Sequence, residues 1–309
     1  MGATAIAAVV GFWGSGPVRN ALVAGGVVAL MSAAAGVFTV LRGQSFAGHA
    51  LGDLGTLGGS AAFLGGVTPL VGFVGVGVAA AAAMELLGVQ RQRSRDVATG
   101  VVLGLALGVS ALLLYLETTA STTTGVTATV LFGSLFTVAA GTVPWLAALS
   151  VAGMVVVALL YRPLLLSSVH PDLAAARGVR VRWLGLAFLV LVGVAVSLSS
   201  MVVGTILSPA LLIGPAAVAL RVTRRPLSAM VVAAAVGVAI TWLGIWLSYQ
   251  SADWPPGGRG WPVSFFVVAL VFVVYAASAT GAPRQRRPPA VGDAGPEAGP
   301  HCDAPEVGG

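Results

Sequence analysis

His49 and Asp53 are the residues whose types and spacing point most directly to chemistry. They lie four residues apart within an apolar stretch, Phe46–Gly66, so a helix would place both side chains on one face. Ionisable groups inside a membrane are costly and mark a pathway or a binding site. An imidazole and a carboxylate form half of a site for a divalent transition metal. Two alternatives remain: the side chains pair with each other, or they lie at the inner mouth beside Arg42, where water reaches them.

Three further residues are candidates for lining a pathway. Glu117 lies near the outer end of a span, where it guards an outer vestibule or simply reaches the interface. Ser208 and Pro215 belong to Ile206–Leu220, which its prolines and glycine break into a short or kinked helix. Broken helices often line transport sites, although prolines are also tolerated in ordinary membrane helices.

The composition requires a membrane to surround these residues. The chain has 309 residues, of which 57% are hydrophobic and 8% charged, with a mean hydropathy of +0.97. A soluble domain carries about 25% charged residues, so this chain lacks the polar surface to coat a globule. Its single cysteine, Cys302, excludes an intrachain disulfide or a paired-cysteine metal site. The high isoelectric point arises from loop arginines and does not indicate nucleic-acid binding.

The apolar segments predict an all-α, polytopic membrane protein with about nine transmembrane helices. The predicted spans are Ala21–Leu41, Phe46–Gly66, Pro69–Gly88, Val97–Leu116, Pro144–Tyr161, Trp183–Val203, Ile206–Leu220, Leu227–Tyr249 and Pro262–Ser278. The threonine-rich segment Ser121–Thr142 is less apolar and is broken by glycines, so we expect it to be re-entrant. An N-terminal segment (1–19) precedes the transmembrane domain (20–279), and a disordered cytosolic tail (280–309) follows it.

The arginines predict the orientation of the spans. All sixteen basic residues are arginine, and a topology with the N-terminus outside places fourteen of them on the inner side. Only Arg19 and Arg259 then lie outside, as the positive-inside rule requires. A full crossing by Ser121–Thr142 would divide the arginine clusters between the two sides, which favours the re-entrant interpretation.

The polar segment Tyr161–Trp183 interrupts two long apolar runs and carries four arginines. Pro171 suits the first position of a short helix, Asp172 lies in its first turn, and Gly178 suits the position just past its end. A short capped helix on the arginine-rich side is suited to contact with a cytosolic partner. An ordinary ordered loop is the alternative.

Small residues crowd the span that carries His49. Gly48 and Gly52, and again Gly55 and Gly59, have the spacing that permits close helix packing. Either this helix is a tightly packed helix that lines a pathway, or the glycines serve general membrane packing.

Four motifs, in order, give the chain a family resemblance. They are NALVAGGVVALMSAAAGVFTVLRGQSFAGHAL, LFGSLFTVAAGTVPW, SSVHPDLAAARGVRVRW and GTILSPALLIGPAAVAL. Between about Asn20 and Ser278 the chain resembles the permease subunit of ATP-binding-cassette metal importers, the zinc, manganese and iron family. Two positions depart from that pattern: Ser45 stands where an aspartate is common, with the acid instead at Asp53, and His170 replaces an acid.

The resemblance implies a homodimer of permeases in the cell membrane that carries zinc, manganese or iron and holds no tightly bound cofactor. It implies a cytosolic ATP-binding subunit docked on a coupling segment that includes Pro171, Asp172, Leu173, Ala175 and Gly178, and an extracytoplasmic metal-binding protein. His49 takes the position of the family's histidine, and the metal would pass His49 and Asp53 by alternating access.

Other classes of function fit less well. A self-sufficient secondary transporter or channel for a small solute is disfavoured by the coupling-like segment and by the scarcity of intramembrane acids. An intramembrane enzyme is disfavoured because no nucleophile–base pair or nucleotide-binding loop stands out. A permease for a chelated metal remains the nearest alternative.

Overall fold

Helices account for almost all of the structure, which is a computed structural model that describes residues 12, 14–86, 95–120, 132–133, 135–169, 171–205, 207–254 and 260–281. Within these residues there is no β-strand, which confirms the predicted all-α class. The helices are α1 (Gly16–Leu41), α2 (Ser45–Leu64), α3 (Pro69–Leu86), α4 (Arg95–Ala120), α5 (Val143–Val169), α6 (Pro171–Ala176), α7 (Val181–Val203), α8 (Ser208–Val222), α9 (Pro226–Gln250) and α10 (Val263–Gly281).

Each of the nine predicted spans corresponds to one long helix. Five of these helices, α1, α5, α7, α9 and α10, are long and apolar enough to cross a membrane by length and composition. Apolar stretches of 10–17 residues lie in α3, α4 and α8, and α2 carries the polar residues discussed below. The multi-pass membrane character is therefore confirmed, whereas the number of crossings stays a prediction.

Helix α5 extends beyond the predicted end of its span at Tyr161. Helix α5 continues to Val169, two turns further, and accommodates Pro163 within it. The proline costs one backbone hydrogen bond, but the apolar residues on either side keep the helix packed: Leu164 is fully buried. Residue 170 lies outside the described residues, α6 follows it, and α7 begins at Val181, two residues before the predicted start.

Helices α1 and α7 form the centre of the bundle. In their most apolar windows 78% of α1 and 72% of α7 is buried, against 22–33% for α5, α9 and α10. Three serines of α7 bond to neighbouring helices. The Oγ of Ser199 lies 2.6 Å from that of Ser32 on α1, Ser197 donates to the carbonyl of Phe73 on α3 at 2.9 Å, and Ser200 donates to Ser208 on α8 at 3.0 Å. Every such hydroxyl needs an internal partner in lipid, so these bonds fix how α7 sits among its neighbours.

Contacts at the two ends of the bundle agree with the predicted topology. Arg42, which follows α1, contacts Ser167 near the end of α5, and Arg221 near the end of α8 donates to Tyr275 of α10 at 2.6 Å. At the opposite end one cavity of about 670 Å³ is lined by Val18 of α1, Tyr249 of α9 and Val263 at the start of α10. Arg42, just after α1, and Arg221, in the last turn of α8, therefore lie where those helices end, away from the start of α1.

The segment predicted to be re-entrant lies largely outside the described residues. The segment follows α4, whose end lies beside the start of α3, because Leu114 near the end of α4 clusters with Phe73 near the start of α3. Its described part lies against the same end, because a Cβ on Gly133 would meet the backbone of Val203 at 2.5 Å. Whether the segment is re-entrant or spans the membrane stays a prediction.

Candidate metal-contact site and coupling segment

His49 and Asp53 lie together on α2, as their spacing predicts. The Nε2 of His49 is 3.6 Å from the Oδ2 of Asp53. The His49 side chain is 48% exposed on the surface of the chain, whereas that of Asp53 is 12% exposed. This distance matches the alternative in which the two pair with each other. It also leaves the imidazole accessible to an incoming cation, whereas the carboxylate of Asp53 is largely covered.

Another face of α2 is rich in glycine and packs closely against three helices. A Cβ on Gly48 would lie 2.8 Å from Cδ2 of Leu212 on α8, and one on Gly52 would lie 3.1 Å from Cγ1 of Val196 on α7. A Cβ on Gly58 would overlap the carbonyl oxygen of Gly72 on α3, and one on Gly59 would overlap the ring of Phe73. The predicted close packing is therefore present, while the side chain of His49 stays about half exposed.

The polar stripe on α2 is longer than the sequence analysis recognised. Thr56 and Ser60 follow Asp53 at helical spacing, and both are buried. Their hydroxyls donate to the carbonyls one turn earlier, Thr56 to Gly52 at 3.1 Å and Ser60 to Thr56 at 2.9 Å. The sequence does show this helical spacing of His49, Asp53, Thr56 and Ser60. However, short hydroxyl side chains so often hydrogen-bond to their own helix that the spacing alone does not indicate a functional stripe.

Two ligands are all that one copy of the chain gathers here. Among the described residues no group of three or more His, Cys, Asp or Glu side chains is close enough to hold a metal ion. An imidazole and a carboxylate alone bind a divalent metal weakly, and water or further protein ligands must complete its coordination.

The structure places the three predicted pathway residues in different surroundings. Ser208 is fully buried, accepts the bond from Ser200 and lies beside Gly52, one turn from His49 along α2. Pro215 is buried within α8 and lies 3.6 Å from the position of a Cβ on Gly237 of α9. Glu117 belongs to the last turns of α4, and its side chain lies outside the described residues. A pathway role for these three residues stays a prediction.

The predicted coupling segment forms a short helix with a well-defined end. Helix α6 covers Pro171–Ala176, and Gly178 has φ +79°, the left-handed conformation that favours glycine. The Gly178 N–H donates to the carbonyl of Ala175 at 3.0 Å, and the Val179 N–H donates to that of Ala174 at 3.0 Å. These two bonds are the pair that closes a helix in the Schellman arrangement.

One face of α6 is anchored and another is free. Ala174 is fully buried, whereas Leu173 is 45% exposed and Ala175 and Gly178 are also exposed. An exposed leucine beside small residues offers a shallow apolar surface at the end of the bundle where the arginines lie. For Pro171 and Asp172 the structure describes the position in α6 but not the side chains.

A second polar cluster lies beside α6 and was not predicted. Arg42 donates from Nη2 to the Oγ of Ser167 at 2.7 Å and from Nε to the Oγ of Ser168 at 3.2 Å, and its Cζ lies 5.1 Å from the ring centroid of Phe188. Burial lowers the pKa of Arg42, and the nearby carboxylate of Glu85 partly offsets that effect. Arginine remains charged even so.

The fold and this site together define a multi-pass helical membrane protein with one polar helix face and a capped helix between its spans. The model of the ABC 3 transport family matches residues 17–279. The chain therefore belongs to the ABC 3 transport family. This agrees with the prediction that it is a transporter subunit and not an enzyme.

Characterised relatives resemble most of the chain. It is 29% identical over 235 residues to the manganese import system permease protein ScaB of Streptococcus parasanguinis, which covers 75% of this chain and 81% of the relative. It is 28% identical over 232 residues to the manganese transport system membrane protein MntC of Listeria monocytogenes, with 75% and 81% covered. It is 27% identical over 215 residues to the high-affinity zinc uptake system membrane protein ZnuB of Haemophilus influenzae, with 67% and 78% covered.

Two solved structures have a similar fold. PsaBC from Streptococcus pneumoniae in complex with Fab superposes with a TM-score of 0.76 at 24% identity, covering 91% of this chain and 97% of that chain. An inward-facing, putative metal-chelate type ABC transporter superposes with a TM-score of 0.61 at 17% identity, covering 82% and 84%. Both likenesses support the arrangement of helices described above.

Proposed function

We propose that this chain is the membrane-spanning permease subunit of an ATP-driven importer for a divalent transition metal. The observation that carries the proposal is the His49–Asp53 pair, which places two metal-binding groups 3.6 Å apart on one face of a helix, with the His49 side chain about half exposed. Membership of a transport family and relatives named for manganese and zinc support the same substrate class.

The weakness of this site suits transport. A resident metal site uses three or four protein ligands, whereas α2 offers two. Conduction needs binding that is favourable enough for entry and weak enough for release. We therefore infer that His49 and Asp53 contact the cargo transiently, with water or a second copy of the chain completing its coordination.

Manganese is the first cargo to test and zinc the second. Several relatives are named for manganese transport and one for zinc. A carboxylate and water suit manganese, and imidazole suits zinc and iron, so the ligand pair accepts each of the three metals. The departure at Ser45 removes one carboxylate from the family pattern, which keeps a chelated metal as the second candidate.

The permease requires partners, since no nucleotide-binding motif is visible in its sequence. We propose that a cytosolic ATP-binding subunit docks on the exposed face of α6, formed by Leu173, Ala175 and Gly178, with Pro171 and Asp172 at the start of the helix. A second copy of the chain and an extracytoplasmic metal-binding protein complete the importer.

Metal uptake tests the cargo. A strain that lacks this gene is supplied with manganese, zinc or iron in turn, and cellular metal is measured before and after the gene is restored. We expect the restored gene to raise the cellular content of manganese or zinc. Equal contents of all three metals with and without the gene would contradict a free-metal cargo.

The docking surface is tested by Ala175→Arg, which adds a bulky charge to α6 without entering the bundle. We expect the variant to insert normally but to lose co-purification with the ATP-binding subunit. Ala279→Arg is the matched control, because Ala279 is also a small exposed residue, near the same end of the bundle on α10. Gly178 is a poorer test position, since its φ of +79° makes any substitution strained.

A further inference from the structure

Arg42 differs from the other arginines in its surroundings. It lies in the three-residue connection between α1 and α2 and is partly buried, whereas the other arginines whose side chains the structure describes are exposed. Arginines on the inner side of a membrane protein ordinarily extend into water. The partial burial of Arg42 therefore indicates that its side chain has a role through its contacts within the protein.

The guanidinium of Arg42 contacts the helix that precedes α6. It donates to Ser167 at 2.7 Å and to Ser168 at 3.2 Å, both in the last turn of α5. These are hydrogen bonds from a charged donor, which are stronger than those between neutral groups. Both serine hydroxyls also donate to the carbonyl of Leu164, at 3.1 and 2.6 Å, which orients their lone pairs for the guanidinium.

The same guanidinium contacts the helix that follows α6. Its Cζ lies 5.1 Å from the ring centroid of Phe188 on α7, within the range of a cation–π interaction. Phe188 is fully buried and packs edge-on against Phe38 of α1, with ring centroids 6.4 Å apart. Phe38 packs in the same way against Tyr161 of α5 at 5.8 Å. Arg42 therefore covers an aromatic cluster that joins α1, α5 and α7.

These contacts connect the coupling helix to the helix that carries His49. Helix α6 is attached to α5 on one side and to α7 on the other, and Arg42 touches both. Only Gly43 and Gln44 separate Arg42 from the start of α2. A displacement of α6 that moves α5 relative to α7 must therefore either break the contacts of Arg42 or move Arg42 with them. Movement of Arg42 in turn displaces the inner end of α2.

We propose that Arg42 is a positioning residue that transmits movement of α6 to α2, so that the His49–Asp53 face changes its exposure in step with the ATP-binding subunit. The inference rests on the proposed function. It predicts that Arg42 affects the coupling between ATP hydrolysis and transport more than it affects folding or assembly.

The test uses the complete importer, with permease, ATP-binding subunit and extracytoplasmic binding protein, reconstituted in liposomes with the metal identified in the uptake assay. Three quantities are measured: metal transported per ATP hydrolysed, stimulation of ATP hydrolysis by the metal-loaded binding protein, and the melting temperature of the complex. The variants are Arg42→Gln and Arg42→Lys, with Arg162→Gln as control, because Arg162 is an exposed arginine on α5 near the same end.

We expect Arg42→Gln to lower metal transported per ATP about tenfold, a typical size for coupling between sites. We expect Arg42→Lys, which keeps the charge but not the two-point donation, to give an intermediate loss, and Arg162→Gln to match the native protein. Normal transport per ATP in Arg42→Gln would overturn the proposal. So would an equal loss in Arg162→Gln.

Two further outcomes separate this proposal from simpler ones. If Arg42→Gln fails to fold, the Ser167→Ala, Ser168→Ala double variant removes both acceptors and leaves the arginine in place. That double variant must then show reduced metal transport per ATP at a native melting temperature, or the proposal fails. If the native complex hydrolyses ATP but moves none of the three metals, the proposed cargo is wrong. The stimulation of ATP hydrolysis by the binding protein then still tests the role of Arg42. A smaller stimulation in Arg42→Gln than in the native complex would support the proposal, and an equal stimulation would overturn it.

Discussion

The two faces of α2 differ in what constrains them. On one face Gly48, Gly52, Gly58 and Gly59 pack against α3, α7 and α8 so closely that an added Cβ would meet neighbouring atoms. On the other face, Phe46 is 50% exposed as a whole residue, and the side chain of His49 is 48% exposed. Packing therefore fixes the first face, whereas Phe46 and His49, near the beginning of the helix, are accessible on the second. One helix thus carries both a structural surface and a candidate functional surface.

The largest expected effect comes from the packed face. Gly58→Val places a branched side chain where even a Cβ would overlap the carbonyl oxygen of Gly72. A backbone carbonyl cannot rotate away as a side chain can. We therefore expect the free energy of unfolding to fall by about 3 kcal/mol, at the upper end of the range for overpacked cores. The melting temperature of the purified permease measures it. Gly75→Val on α3 is the matched control, because a Cβ there has no neighbour within 4 Å; an equal loss in both variants would show that the packed face is not special.

The next largest effect comes from the exposed face, and it concerns transport rather than folding. We expect His49→Ala to lower metal uptake about tenfold, since even residues that only support metal ligands matter by about that factor, while the melting temperature stays native. Phe46→Ala is the control on the same exposed face. Normal uptake in His49→Ala would mean that the pair is structural, and would favour a chelated metal as the cargo.

Asp53→Asn separates the two members of the pair. The variant keeps the shape of the side chain but removes its charge, and the Asp53 side chain is less accessible than that of His49, at 12% against 48%. We expect uptake to fall by about threefold, equivalent to one modest polar interaction. Uptake measured over a range of metal concentrations checks it. A greater loss in Asp53→Asn than in His49→Ala would show that the carboxylate is the principal contact.

The smallest effect on uptake is expected for single-cysteine variants that report orientation. They test the direction in which α2 crosses the membrane. Single cysteines replace Ser15 or Gly292 in a Cys302→Ser background, and we expect native uptake from both. An impermeant thiol reagent applied to intact cells should label Ser15→Cys and leave Gly292→Cys unlabelled. The reverse pattern would place the arginine-rich end outside and would refute docking of a cytosolic subunit on α6.

Local residue chemistry was enough to predict much of this molecule. The apolar runs located nine helices, because each span must bury its backbone polar groups in its own hydrogen bonds. Pro171 and Gly178 predicted the beginning and the end of α6, since their backbone preferences are intrinsic. The four-residue spacing of His49 and Asp53 predicted their shared face for the same reason, because helical geometry does not depend on neighbours.

Tertiary structure decided what depends on residues far apart in the chain. The extension of α5 to Val169 needed packing that outweighs Pro163, and local preference had placed the end of that span at Tyr161. Whether His49 faces the surface or the core depended on which face of α2 its neighbours accept, and the glycines determined that. The contacts of Arg42 with Ser167 and Ser168 join residues 125 and 126 positions apart. Such a contact has no local signal, because only the folded bundle brings the two segments together.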